Sequence, residues 1–253
     1  MKKHIKLVVF LISLLIVFVI FKVFQKENNK VYYIALGDSI SEGMTPYRNI
    51  DYGYPDYIRD YYNQNKKLKF YTKKYSKSGY KIKDIKYDIE SNKTIEVDNK
   101  KVHLKEALRN SDLVTLTIGI NDFFDRINSN NIEIIISDIP KSKKTIDSIK
   151  NDLKDLIILI QKFVKNNIIV TGYYNPYPRL TEYKEEIDEL VKYYNYEIEE
   201  MCDELEINYV NIFDIFEENK ELLPNPSDIH PNKLGYELIA KKIMSSLKSW
   251  QNS

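Results

Sequence analysis

Short apolar, β-branched runs separated by long amphipathic stretches set what this chain can fold into. Val31–Leu36 (VYYIAL), Asp112–Ile118 (DLVTLTI) and Asn167–Thr171 (NIIVT) each run up to a glycine: Gly37, Gly119 and Gly172. A strand apolar on both faces must be covered on both, as in a parallel sheet between two helical layers. The intervening stretches supply those layers. Pro55–Asn63 carries Tyr57, Ile58, Tyr61 and Tyr62 at helical spacing, and Lys105–Arg109 fits a short helix. Ile146–Val164 places Ile146, Ile149, Leu153, Leu156, Ile157, Ile160 and Val164 close to one stripe. Thr181–Leu205 and Lys233–Ser249 complete the helices, while Leu68–Tyr75 and Glu206–Val210 add two strands. The expected fold is a three-layer α/β/α sandwich with a mostly parallel five-stranded sheet. Thr94–Leu104 alternates on either side of Asp98–Asn99 and predicts a surface hairpin.

The first thirty residues stand apart from this pattern. Lys2, Lys3 and Lys6 precede Leu7–Phe21, a run of 15 uncharged residues. Lys22 can snorkel, so Val23 and Phe24 extend the run to 18 residues. At about 1.5 Å per residue this approaches the roughly 30 Å hydrocarbon core of a bilayer. No small-residue cleavage site follows, nor a cysteine to take a lipid. The expectation is residues 1–30 as an N-terminal signal anchor, or alternatively a cleaved signal peptide, and residues 31–253 as one domain. The lysines before the run put that domain outside the cytoplasmic membrane, held as a single-pass protein or secreted after cleavage.

Composition narrows the function. A length of 253 residues suits one domain, and 43% hydrophobic residues are enough to bury a core. Lys+Arg at 38 against Asp+Glu at 37 argues against a nucleic-acid binder. Cys202 is the sole cysteine, which excludes an intrachain disulfide and any cysteine-based zinc site. His4, His103 and His230 do not cluster, so no metal or other cofactor is called for. His103, in the lysine-rich hairpin, is expected to be exposed. Nothing implies an obligate protein partner.

Ligands of such folds collect at the C-terminal ends of the strands. There the sequence places Gly37-Asp38-Ser39-Ile40-Ser41, Ser76-Lys77-Ser78-Gly79 and Gly119-Ile120-Asn121-Asp122, with Ser227-Asp228-Ile229-His230-Pro231 before the last helix. These residue types suit acyl transfer. A serine hydroxyl needs a base, the base needs an orienting group, and the oxyanion needs neutral donors. Each cluster alone is more often a turn or a helix cap than a site. Together, in this order, they converge on one chemistry.

The order Gly-Asp-Ser, then Gly, then Gly-x-Asn-Asp, then Asp/His-Pro resembles the SGNH hydrolases, also called the GDSL lipase/esterase family, over nearly all of residues 31–248. The resemblance implies Ser39 as nucleophile and first oxyanion donor, Gly79 and Asn121 as further donors, and His230 as general base. One position departs from the pattern. The family's acid sits three residues before the histidine, where this chain has Ser227, and the nearest acid is Asp228, two before. Either Asp228 orients the imidazole or the site runs as a Ser–His dyad. Asp38 and Asp122 read as loop-shaping groups. The nucleophile elbow Gly-x-Ser-x-Gly of the α/β-hydrolases does not fit, since its last position here is Ser41.

Three aromatic segments could wall the substrate. Met44, Tyr47, Tyr52 and Tyr54 follow the nucleophile. Phe123, Phe124, Ile127 and the run Ile132–Ile136 lie in Asp122–Lys144, a stretch without obvious regularity that fits either an insertion packed on the core or a lid. Tyr173, Tyr174 and Tyr177 follow the fourth strand. Of these, Met44, Tyr54, Phe123 and Phe124 are taken as substrate-lining. The expected activity is a serine esterase or lipase acting on lysophospholipids or other lipid esters. The alternatives are an O-deacetylase of cell-surface glycans and a catalytically idle binding module.

Overall fold

The computed structural model describes residues 30–250, so the N-terminal apolar run lies outside the described residues. Among the described residues no helix is long and apolar enough to cross a membrane. The strands of the main sheet are β1 (Val31–Gly37), β2 (Leu68–Ser76), β5 (Leu113–Thr117), β6 (Asn167–Thr171) and β7 (Asn208–Val210). Their spatial order is β2-β1-β5-β6-β7, and every neighbouring pair is parallel. A separate antiparallel hairpin joins β3 (Thr94–Val97) to β4 (Lys100–His103), with Asp98 and Asn99 both at positive φ in its turn, as a tight hairpin requires.

Alternation along the strands splits the core in two. Ile34, Leu36, Val114, Leu116, Ile168 and Val170 face one helical layer, while Tyr33, Ala35, Leu113, Ile169 and Val210 face the other. The first layer holds α3 (Ile82–Glu90), α4 (Leu104–Asn110), α5 (Ile120–Ile127), α7 (Ile139–Gln161) and α8 (Lys184–Glu204). The second holds α2 (Tyr54–Gln64), α9 (Phe213–Glu218) and α10 (Lys233–Trp250). A four-residue α1 (Ser39–Glu42) follows β1, and α6 (Ile132–Ile136) bridges α5 and α7.

Several bounds differ from the periodicity. The long helix expected at Ile146 begins seven residues earlier, at Ile139, because Asp138 caps it by accepting from Lys141 N and a proline fits its first turn. The strand expected from Glu206 begins at Asn208, since Glu206 turns with φ of 54°. Asp122–Lys144 is not irregular: it contains most of α5, all of α6 and the start of α7. The parallel pair α7 and α8 is laced along its outer edge by Lys143–Glu189, Lys150–Glu197 and Lys154–Glu204. Surface pairs of this kind, even half-buried ones such as Lys150–Glu197, contribute little each.

Candidate active site

Four loops at the C-terminal ends of the strands build the site. The first is the turn after β1. Gly37 has φ of 147°, and a side chain there would strike the Thr117 carbonyl at 2.2 Å. Asp38 caps α1, its Oδ1 accepting from Ile40 N at 2.9 Å. That leaves Ser39 at the first turn of α1, where N–H groups have no partner within a helix. Ser41, taken in by the core, donates to the Leu36 carbonyl.

The last loop brings the base. Ser39 Oγ lies 2.8 Å from His230 Nε2, and His230 Nδ1 lies 2.6 Å from Asp228 Oδ1. The same Asp228 oxygen accepts from the His230 backbone N–H at 2.9 Å. This double use explains how an acid two residues before the histidine reaches the ring: the side chain folds forward over its own loop. The loop is fastened from beneath by Tyr174, whose hydroxyl donates to the Ile229 carbonyl at 2.7 Å while its ring stacks on Phe216. Asn225 donates to the Pro46 carbonyl at 2.7 Å, tying this loop to the segment after α1. Arg48 Nε stands 3.7 Å from the other Asp228 oxygen, but Arg48 is 80% exposed and its charge is screened.

The second loop turns at Gly79, with φ of 81° and the Tyr80 N–H donating to the Lys77 carbonyl at 3.0 Å. This is the turn geometry that favours glycine at its third position. No atom lies within 4 Å of where a Gly79 side chain would begin, so its backbone faces open space. Glu42 ties this turn to α1 by accepting from both the Ser78 N–H and the Ser78 hydroxyl. In the third loop, Asn121 sits in the first turn of α5 and donates from Nδ2 to the Tyr80 carbonyl at 3.0 Å. Asp122 accepts from Ile82 N at 3.0 Å and so anchors the start of α3. Ser39, Gly79, Asn121, Asp228 and His230 therefore meet at one end of the sheet, on four separate loops.

The two expected walls fare differently. A cavity of about 80 Å³ opens beside the Ser39 turn, almost entirely apolar in its lining. Phe123, Phe124 and Ile120 come from α5, Tyr173 and Tyr177 from the segment after β6, and Leu190 from α8. Ile40 and Ile229, next to Ser39 and His230 in the chain, close its near end. Met44 and Tyr54 do not line it. Tyr54 is fully buried, its hydroxyl bonded among Ser41, Thr115 and Thr117 at 3.0 to 3.3 Å. Met44 pairs with Ile50 in a short antiparallel bridge, and its carbonyl accepts from Tyr236 at 2.6 Å.

Burial shapes the electrostatics. Asp38 is fully buried, and this desolvation pushes its carboxyl up to about 7, against the pull of donors from Ile40 N and Tyr173. Burial raises Asp122 as well. Among the described residues no group of three or more His, Cys, Asp or Glu side chains could hold a metal ion.

This fold and these loops are those of an esterase family. The profile of the GDSL-like lipase/acylhydrolases matches residues 33–243, and the chain belongs to that family. A relative, the uncharacterized protein YpmR of Bacillus subtilis strain 168, is 23% identical over 228 residues, covering 88% of this chain and 84% of its own. The chain is similar in structure to an extracellular lipase from Streptomyces rimosus, with a TM-score of 0.60 at 17% identity over 84% of this chain and 98% of that one. It is also similar to Axe2, an acetylxylan esterase from Geobacillus stearothermophilus, with a TM-score of 0.57 at 18% identity over 84% and 92%. The protein is a serine carboxylic ester hydrolase of this family.

Proposed function

We propose that the chain hydrolyses esters of medium or long acyl chains, with the apolar cavity beside Ser39 as the acyl site. That cavity carries the reading. An acetyl group has one methyl to bury and needs no such space, whereas each buried methylene of a longer chain contributes about 0.8 kcal/mol. Ser39 Oγ attacks the ester carbonyl as His230 Nε2 takes its proton, with Asp228 holding the imidazole and stabilising its charge. The N–H groups of Ser39 and Gly79 and the Asn121 amide receive the oxyanion. The imidazolium protonates the departing alcohol, and a water activated by the same base releases the acid.

The acetylxylan esterase among the structural neighbours supports a second reading, removal of acetyl groups from a glycan. We place the domain outside the cytoplasmic membrane, on the strength of the lysines and the uncharged run at the start of the chain. A series of 4-nitrophenyl esters from acetyl to palmitoyl, tested on the full chain and on Ser39→Ala, separates these readings. We expect Ser39-dependent turnover with kcat/KM rising from acetyl to at least octanoyl. A sharp preference for acetyl would transfer the assignment to the deacetylase.

A further inference from the structure

The turns that carry Ser39 and Asn121 follow adjacent strands, yet no bond joins their side chains directly. One phenol spans the gap. Tyr173, the second residue after β6, donates from its hydroxyl to Asp38 Oδ2 at 2.8 Å. The same hydroxyl oxygen accepts from the Ile120 backbone N–H at 3.4 Å. Asp38 precedes Ser39, and Ile120 precedes Asn121. Tyr173 thus bonds the neighbours of two oxyanion donors, Ser39 and Asn121, without bonding the donors themselves.

The phenol is itself held in place. Asn195, buried in the middle of α8, clamps the Tyr173 backbone with its amide, accepting from Tyr173 N and donating to Tyr173 O, both at 2.8 Å. The Tyr173 ring meets Tyr194 edge-on at 5.4 Å between centroids, and Tyr194 donates to the Ile118 carbonyl just before the third loop. The ring also faces the acyl cavity. A wall alone would be served by phenylalanine, so the buried hydroxyl and its clamp call for another account.

We propose that Tyr173 is a positioning residue of the esterase reaction, fixing the Ser39 turn and the Asn121 turn to one another so that their donors converge on one oxyanion. The inference rests on the hydrolytic reading of the site. Its signature is a loss in kcat that does not depend on acyl length. Tyr173→Phe keeps the cavity wall and removes both bonds. In the full chain we expect kcat to fall about tenfold on both the acetyl and the octanoyl ester, with KM within about twofold. A loss confined to KM on the octanoyl ester would make Tyr173 a wall and nothing more, and unchanged kinetics would overturn the proposal outright.

A double-substitution cycle with Asp38→Asn locates the effect. If Tyr173 acts through Asp38, the double variant is no slower than Asp38→Asn by more than about twofold, while multiplying losses would overturn that route. Asn195→Ala should reproduce the kcat loss by freeing the Tyr173 backbone, and it serves if the phenylalanine variant does not fold. Thermal unfolding against pH reads the contact with no substrate at all, so it stands even if every ester is refused. Around Asp38 the other titratable groups are Asp122, Tyr54, Tyr174, Tyr194 and Tyr236. Removing the Tyr173 donor should carry the stability decline associated with Asp38 to higher pH, and an unmoved profile would deny the bond.

Discussion

The two flanks of Ser39 carry similar aromatic residues and do opposite things with them. On the Met44–Tyr54 flank, polar groups fasten the chain to itself. The Tyr54 hydroxyl is shared among three core hydroxyls, and Lys73 reaches the Asp51 carbonyl at 2.9 Å and Asp56 at 2.6 Å. Tyr52 donates to Asp60 beneath the Arg59 guanidinium. On the Phe123–Leu190 flank the facing groups are phenylalanines, aliphatics and the apolar sides of tyrosines, and a cavity remains. A phenol whose hydroxyl finds partners becomes a rivet, and on the cavity flank Tyr173, Tyr174 and Tyr194 are riveted at the hydroxyl while their rings still stand as wall. The first flank is closed throughout, whereas the second is fastened only at its hydroxyls and can admit a hydrocarbon chain between its rings.

This contrast can be broken from either side. The largest effect belongs to the catalytic chain between the flanks. Asp228→Asn should lower kcat by roughly 10³- to 10⁴-fold, because the amide can hold the wrong tautomer of His230. A loss below about tenfold would reduce the site to a Ser–His dyad. On the open flank, Val191 also lines the cavity, and Val191→Phe places a ring in it. It should lower kcat/KM on the octanoyl ester at least about tenfold while leaving the acetyl ester within about twofold. Equal losses on both would deny that the cavity takes the acyl chain.

Beneath the nucleophile, Asp38 sets a pH dependence. Its carboxyl is raised from 3.8 to about 7 by burial, so the folded chain keeps a proton that the unfolded chain gives up within that window. Stability should therefore fall as pH rises from about 4 to about 7, and Asp38→Asn should flatten that stretch of the Tm profile. The smallest effect is expected on the sealed flank. Tyr54→Phe should cost about 1–2 kcal/mol in urea unfolding while changing kcat/KM less than about threefold on either ester.

Much of this was legible in the sequence for a physical reason. A parallel strand covered on both faces has to be apolar throughout, so β1, β5 and β6 announce themselves, and the loops after them follow by chain direction. Short helices were less visible. Ile120, Phe123, Phe124 and Ile127 do fall at helical spacing, but α5 has only two turns, and its first residues were read as a motif. The sealed flank is hidden because a place in the chain after the nucleophile does not say whether a phenol there finds buried acceptors, as Tyr54 does. The Asp38–Tyr173 bond joins residues 135 apart, and no local pattern encodes such a pair. Glu42 is hidden in the same way: a charged residue one turn after Ser39 looks like surface until Ser78 is brought to it.

The parallel sheet also sets a direction. Every strand of the main sheet runs in the same direction. Val31 therefore starts β1 at the end away from Ser39, beside Lys67, whose carbonyl accepts from the Val31 N–H at 2.6 Å. Seven extended residues at about 3.3 Å each put roughly 20 Å between the point where the chain enters and the mouth of the site. Anything fastened to the chain before Lys30 therefore grips the domain by its foot. Were the domain held there as proposed, lengthening the attachment would change how far the mouth reaches, and at what height it meets its substrate, without altering the chemistry inside it.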